Sequence, residues 1–165
     1  MNKRYFMLFS AMLAASAGIA AAQATAEFYR LDFTLKELEG GKIVNSRNYQ
    51  MMVKADENSN FTSSIRSGGK VPFGGNYIDV GVNIDVKRVA HITKDELALD
   101  VVSEVSGSVE PGDGQVRQSG PPIVRQSRWN STVLVTLRKP QTIFSSDDAT
   151  SKRVMQLELT ATPIR

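Results

Sequence analysis

The chain has 165 residues, with 20 basic and 17 acidic side chains and no cysteine. The lack of cysteine excludes disulfide bonds, thiol catalysis and zinc–thiolate centres. Lys3 and Arg4 supply two charges of the formal +3, so residues 25–165 carry +1 and contain no basic run that would follow a phosphate backbone. We therefore expect a single domain that does not bind nucleic acid.

Residues 1–24 have the layout of a secretory signal peptide. Lys3 and Arg4 precede an apolar run from Tyr5 to Leu13, and small residues follow it. The apolar run is too short for a membrane-spanning helix, which needs about 20 residues. The sequence predicts a signal peptide over residues 1–24 of an exported protein, with A-x-A cleavage triplets that end at Ala22, Ala24 or Ala26.

The first element predicted after this segment is a β-hairpin over residues 28–53. Apolar and polar residues alternate from Leu31 to Lys36, as in a half-buried strand. The stretch from Glu39 to Lys42 contains two glycines, which tolerate the positive φ of a tight turn. A second strand is expected from Ile43 to Val53, so this part of the chain is predicted to begin with an antiparallel pair.

The clearest strand runs from Tyr77 to Lys87, with five apolar residues on one face and polar residues on the other. Ahead of it, Phe61–Arg66 is predicted as a short strand, which Gly68-Gly69 interrupts. Val71-Pro72-Phe73 is predicted as an edge segment, because Pro72 has no N–H to donate to a ladder.

Short strands continue in the second half of the chain. Leu134 lies on the otherwise polar face of the strand over Trp129–Leu137 and indicates cover on both faces. Before this strand, the pattern predicts a polar connection His91–Glu96, a strand from Leu97 to Val105 and a loop Gly107–Pro122. After it, a strand Gln141–Phe144 and a polar loop Ser145–Ser151 are predicted. The last predicted strand has Met155, Leu157, Leu159 and Ala161 on its apolar face. Seven or eight strands without an amphipathic helix predict an all-β domain over residues 25–165, as an antiparallel sandwich or barrel-like sheet.

Several short motifs follow one another in a set order between residues 61 and 165. They are Gly69-Lys70-Val71-Pro72-Phe73, Tyr77-Ile78-Asp79-Val80-Gly81-Val82, Glu104-Val105-Ser106, Arg125 and Arg128 ahead of Ser131-Thr132-Val133-Leu134-Val135, and Thr162-Pro163-Ile164. This order resembles that of the C-terminal β domain of secretins. Secretins are the outer-membrane channels of type II and type III secretion and of type IV pilus systems.

Other features of that family have no counterpart in this sequence. The N-terminal ring-building domains are absent, Arg138-Lys139-Pro140 stands where the family has a D-G-x-T hairpin, and the V-P-x-L-x-x-I-P lip segment is missing. The resemblance therefore implies a small secretin-like module rather than a complete gated channel. It also implies protein partners or self-association, with a location in the periplasm or associated with the outer membrane of a Gram-negative-type bacterium.

The sequence predicts no catalytic or metal site. His91 is the single histidine and no G-x-S-x-G elbow accompanies it, so a hydrolytic triad is disfavoured and His91 is expected in a solvated loop. Asp147 and Asp148 stand among serines in an ordinary turn sequence that matches no calcium loop. We expect no enzyme activity and no cofactor, and no small-molecule ligand is identified.

Two further patterns bear on ligand binding. Gly68-Gly69-Lys70 is followed by an edge segment rather than by the helix of a phosphate-binding loop, so it is predicted to be a turn. Asp79 and Asp85 lie on a polar strand face, and either solvent or a groove is compatible with that position.

Five residues are candidates for structural or interaction roles. Gly81 interrupts a polar strand face and would admit a close neighbour. The register of Trp129 within its strand predicts core packing rather than an exposed platform. The other candidates are Pro72, Arg125 and Arg128.

Two functions remain open. The first is a non-enzymatic, secretin-like module of the envelope that acts through assembly or protein binding, linked to secretion or pili. The second is a soluble periplasmic β-sandwich that binds a small molecule or polymer. Its polar sheet face and the Gly107–Pro122 loop are the features that favour the second function.

Overall fold

The structure is a computed structural model that describes residues 27–55, 62–109, 123–147 and 152–164. The predicted signal peptide over residues 1–24 lies outside the described residues, as does most of the predicted Gly107–Pro122 loop. No helix in these ranges is long and apolar enough to cross a membrane.

The regular elements of the described ranges are eight β-strands. They are β1 Glu27–Glu39, β2 Lys42–Ala55, β3 Ser63–Phe73, β4 Asn76–Thr93, β5 Glu96–Val109, β6 Ile123–Thr136, β7 Gln141–Asp147 and β8 Arg153–Ile164. The first two form the hairpin that the alternation over residues 28–53 predicted, with Gly40 and Gly41 both at positive φ in the turn.

The strands form two four-stranded sheets that pack as a sandwich. Sheet A has the order β2-β1-β8-β7 and sheet B the order β3-β4-β5-β6, and each neighbouring pair is antiparallel. Between the sheets, β2 contacts β3 and β4, and β6 contacts β7 and β8. The edge strands β2 and β3 therefore lie on one side of the molecule and β6 and β7 on the other. The predicted all-β antiparallel sandwich is confirmed.

The core lies between the two sheets and follows the alternation of the sequence. Successive side chains of a strand point to opposite faces, so every second residue of the central strands turns inwards. Burying each large apolar side chain contributes about 1.5–3 kcal/mol. The core consists of Tyr29, Leu31, Phe33, Leu35, Met51, Val53, Val82, Ile84, Val86, Val89, Leu97, Leu99, Val101, Val135, Leu137, Leu157, Leu159 and Ala161.

Two predicted interruptions were wrong because strands continue through them. β3 runs without a break across Gly68 and Gly69, which pair with Gly81 and Val80 of β4. β4 continues through His91 to Thr93, so the predicted polar connection is reduced to the turn Lys94–Asp95. In both places ladder pairing with β4 or β5 outweighs the local preference of the residues for a turn.

Two predictions about the last third of the chain were also wrong. Leu134 is 55% exposed on the outer face of sheet B, so its strand is covered on one face only. β7 extends to Asp147, so the predicted polar loop loses its first three residues to a strand. Pairing of Ser145 to Asp147 with β8 supplies hydrogen-bonding partners that a sequence pattern does not reveal.

Candidate interaction edges and inter-sheet cleft

An open cleft of about 950 Å³ lies between the two sheets, and every strand contributes to its lining. Its charged lining consists of Arg47, Arg125, Arg153, Glu37 and Asp147. The Arg153 guanidinium lies 3.9 Å from the Glu37 carboxylate, a half-exposed pair worth about 0–1 kcal/mol. The described residues contain no group of three or more histidine, cysteine or acidic side chains that could hold a metal ion. The cleft is therefore a mixed-charge surface.

Gly81 forms one wall of this cleft, at a very close backbone contact in sheet B. It has a φ of 147° and lies directly opposite Gly68 of β3. A Cβ on Gly81 would collide with the Ser67 carbonyl oxygen and with the Gly68 Cα. The Gly81 N–H donates to Ser106 Oγ of β5 at 3.1 Å. The close neighbour of Gly81 is thus the backbone of its own sheet, and a role in partner binding stays a prediction.

Pro72 lies on the edge strand β3, exposed and paired with Tyr77 close to the β3–β4 turn. Because proline has no N–H, this end of β3 offers one donor fewer to an added strand. Its role in an interface also stays a prediction.

Arg125 and Arg128 both lie exposed on the edge strand β6 but on different faces. Arg125 lines the cleft and is paired with Gly107, whereas Arg128 is paired with Glu104 on the outer face of sheet B. The structure therefore does not bring this sequence-predicted pair together as one site. Both residues do lie on the same edge strand.

Trp129 packs against the core and joins the two sheets at the side where β6 and β7 lie. Its ring stacks on that of Phe144, with centroids 3.7 Å apart and an interplanar angle of 2°. The indole Nε1 is buried and has no hydrogen-bond partner among the described residues. The stack therefore closes one side of the sandwich, between β6 and β7.

Three acidic residues of the outer face of sheet B, Asp79, Asp85 and Asp100, form ion pairs there. Asp79 forms an ion pair with Lys70 at 3.0 Å. Partial burial tends to raise the pKa of Asp85, but hydrogen bonds from Ser64 at 2.6 Å and Arg66 at 2.7 Å outweigh it and lower that pKa. Asp79 and Asp85 therefore belong to a solvated sheet face rather than to the cleft.

Asp100 of β5 occupies a similar position on the same face. A hydrogen bond from Thr132 Oγ1 at 2.6 Å lowers its pKa most, and the Arg88 guanidinium at 3.0 Å lowers it further, while partial burial acts in the opposite direction. These contacts bind β4, β5 and β6 to one another from outside the core.

Sequence reasoning missed a polar cluster at the seam between the sheets. The buried Tyr29 of β1 donates its hydroxyl hydrogen to Glu27 at 2.5 Å and contacts His91 Nε2 of β4 at 3.4 Å. Burial and the Glu27 carboxylate raise the pKa of Tyr29. His91 thus lies on a strand against Tyr29, so the loop expected for it was wrong, although its side chain is exposed to solvent as expected. No sequence signal could have found this contact, because 62 residues separate its members.

The two-sheet arrangement is similar to solved secretin structures. The secretin InvG of the Salmonella SPI-1 type III secretion injectisome superposes with a TM-score of 0.50 and 9% identity over 85% of this chain and 64% of that chain. ExeD of Aeromonas hydrophila gives a TM-score of 0.51 and 10% identity over 85% of this chain and 47% of that chain. The fold is secretin-like. This secretin-like chain thus spans less than two thirds of the length of either protein.

The secretin resemblance drawn from the ordered motifs is confirmed at the level of the fold. InvG in the injectisome basal body, together with PrgH and PrgK, gives the same TM-score of 0.50 over 85% of this chain and 45% of that chain. No protein-family model and no curated protein matches the sequence. The likeness therefore concerns backbone architecture, and the functional assignment depends on the geometry of this chain.

Proposed function

We propose that this protein is an exported, non-enzymatic secretin-like module of the bacterial envelope, whose copies assemble edge to edge. The observation that carries the proposal is the strand order. Each sheet has four antiparallel strands, so its two edge strands run in opposite directions. When a second copy lies alongside in the same orientation, its β2 meets β7 of the first copy in antiparallel fashion.

The same placement of the second copy also brings the edge strands of sheet B together. β2 and β3 share one side of the molecule, and β6 and β7 share the other. One interface therefore extends both sheets at once, β7 to β2 and β6 to β3. Such head-to-tail contacts produce rings where the rotation closes, and they pair the backbone groups that an edge strand leaves free.

The surroundings that we propose follow from the predicted signal peptide and from the structural neighbours. Residues 1–24 would direct export and be removed after Ala22, Ala24 or Ala26. InvG is seen in a basal body with PrgH and PrgK, which supports envelope proteins as further partners here. The periplasm or the outer membrane is the location that this proposal gives.

Cross-linking in intact cells tests the proposal. We expect the full-length precursor, expressed in a Gram-negative host, to give a ladder of multimers in the envelope fraction, with a processed N-terminus in its mass spectrum. A single monomer band in intact cells, at expression levels where processing is complete, would contradict assembly. An unprocessed N-terminus in the cytoplasmic fraction would contradict export.

The cleft favours a second candidate function, the binding of a small molecule or polymer. A volume of about 950 Å³ lies in the size range of ligand pockets, and Arg47 and Asp147 offer polar contacts at its rim. A thermal-shift screen of glycans, lipids and metabolites tests it, since a ligand raises Tm only by binding the folded state. A stabilising ligand whose effect is lost in Arg47→Gln but kept in the control Lys87→Gln would support this function.

A further inference from the structure

The outer face of sheet A carries an exposed apolar corner at the end where β1 begins. Phe28 of β1 is paired directly with Ile164 of β8. Met52 of β2 is paired with Arg30, so it lies on the same face, two residues along from the level of Phe28. The exposed fractions of Phe28, Ile164 and Met52 are 49%, 40% and 69%. These three residues together form the sheet A corner.

Basic side chains are the nearest charges to the sheet A corner. Lys54 and Arg30 lie beside the corner on the same face, each paired with one of its residues. Asp32, two residues further along β1, forms an ion pair with Arg30 at 3.0 Å. Glu27 belongs to the opposite face, where its carboxylate accepts the hydroxyl hydrogen of Tyr29. Apolar and basic side chains therefore alternate over the corner, and the acids lie at its margin or on the other face.

Leu134 of β6 has different surroundings on the outer face of sheet B. It is 55% exposed and is paired with Ala98, which lies between Glu96 and Asp100 on the same face of β5. The only printed cation of this neighbourhood, Arg88, is held in an ion pair with Asp100 at 3.0 Å. An anionic surface would therefore be attracted to the sheet A corner but not to Leu134.

The chain enters the fold at the sheet A corner. β1 begins at Glu27, immediately before Phe28, and only residues 25 and 26 separate it from the predicted signal peptide. A signal peptide brings the chain to a membrane during export. Export therefore places this corner next to a lipid bilayer.

The size of the corner favours a lipid surface over a protein partner. A stable protein interface buries about 800 Å² on each partner, which is more than three half-exposed side chains offer. Binding to a bilayer surface requires only that apolar side chains enter the boundary between headgroups and acyl chains while cations attract anionic headgroups. The sheet A corner supplies both components on one face.

We infer that the sheet A corner binds the surface of an anionic lipid bilayer. Phe28, Met52 and Ile164 insert at the headgroup boundary, and Lys54 and Arg30 lie among the headgroups. Edge-to-edge pairing leaves the outer face of sheet A uncovered, so docked copies can still join through their edge strands. The inference rests on the proposed function for export to the envelope, and it does not require assembly.

Site-specific fluorescence tests the inference. The natural chain has no cysteine, so Met52→Cys and the matched control Leu134→Cys each provide one exposed site for the polarity-sensitive dye NBD. The purified protein is mixed with vesicles of phosphatidylcholine, with or without phosphatidylglycerol. We expect the dye in Met52→Cys to brighten with the vesicles that contain phosphatidylglycerol, less so in high salt, and the dye in Leu134→Cys to remain unchanged. An unchanged signal in Met52→Cys, equal signals in the two variants, or an equal signal on neutral vesicles would overturn the inference.

Flotation with the same vesicles provides a second measurement. Phe28→Ser/Met52→Ser should bind the anionic vesicles at least about tenfold more weakly than the wild-type protein, because it loses two large apolar side chains. Leu134→Ser should bind them as the wild-type protein does, and circular dichroism checks that both variants fold. Wild-type binding by the double variant would contradict the inference.

The outcomes for the inference and for the proposed function are separate. If the vesicles bind no protein while multimers are cross-linked in cells, the inference fails and the proposed assembly stands. If the vesicles bind the protein through the sheet A corner and cells contain only monomers, the inference stands and the proposed assembly fails.

Discussion

Gly68 of β3 and Gly81 of β4 lie directly opposite each other, and each leaves no room for a side chain on the other. The ladder passes through them without interruption, so the edge strand β3 keeps its pairing up to the turn before β4. This single contact explains why glycines that suggested a break in the sequence instead hold an edge strand in place. It also makes the edge that we propose for assembly sensitive to one methyl group.

Gly81→Ala should destabilise the fold. The φ of 147° lies in a region that other residues rarely adopt, at a cost of about 1–3 kcal/mol, and the new methyl group would collide with Ser67 and Gly68. Urea unfolding followed by circular dichroism should show that loss. Gly69→Ala is the matched control, because a methyl group on Gly69 would have no atom within 4 Å beyond its chain neighbours. Equal losses in the two variants would contradict the close-contact explanation.

The Trp129–Phe144 stack should matter more to stability than the indole N–H does. Phe144→Ala removes one ring of the stack from the side of the sandwich and should cost about 3 kcal/mol. Trp129→Phe keeps an aromatic ring on Phe144 and removes an N–H that has no hydrogen-bond partner among the described residues, so we expect a loss below about 1 kcal/mol. The measurement is again urea unfolding by circular dichroism. A larger loss in Trp129→Phe than in Phe144→Ala would contradict the leading role of the stack.

Acid should weaken the fold through Asp85 and Asp100. Both carboxyls have lowered pKa values in the folded state, so the stabilisation they give is present above the unfolded value of about 3.9 and is lost as pH falls through the lower folded value. The urea concentration at the midpoint of unfolding should therefore decrease as the pH is lowered below about 4. It should decrease less in the double variant Asp85→Asn/Asp100→Asn. Ser64→Ala, which removes a hydrogen bond to Asp85, should also make the urea midpoint less dependent on pH, whereas Ser67→Ala should not.

Alkali should weaken the fold through Tyr29. Burial and the Glu27 carboxylate raise the pKa of Tyr29 in the folded state. The stability that Tyr29 contributes is therefore fully present below the unfolded pKa of about 10 and is lost as the pH rises from there towards the folded pKa. In Tyr29→Phe the fall in stability above about pH 10 should be smaller. Tyr77→Phe is the control, because Tyr77 is exposed on the outer face. An equal alkaline fall in Tyr29→Phe and the wild-type protein would exclude this explanation.

The sequence allowed the sandwich and most of its core to be predicted, since period-two alternation depends on local burial alone. Strand extension through Gly68 and His91 could not be predicted, because it depends on partners elsewhere in the chain. Sheet order depends on the same distant partners. The alternation therefore reveals which face of β6 is buried but not that β6 lies at an edge.

The candidate site was foreseen only in part. Arg128 and Pro72 were singled out from short motifs, and both lie on edge strands. Arg125 and Arg128 were treated as a pair, but a separation of three residues in a strand places them on opposite faces. The cleft and the sheet A corner become visible only when the strand order and pairing are known.

Disulfide trapping between edge strands tests edge-to-edge assembly most directly. The natural chain has no cysteine, so Ser46→Cys or Asn48→Cys on β2, combined with Thr142→Cys or Ser145→Cys on β7, provides the only thiols. Within one copy these strands are separated by two others, about 14 Å in all, beyond the roughly 7 Å between Cα atoms that a disulfide bridges. We expect one of the four cysteine pairs to give disulfide-linked multimers in the periplasm of intact cells, and single-cysteine variants to give no more than dimers. Monomers from all four pairs would contradict the account.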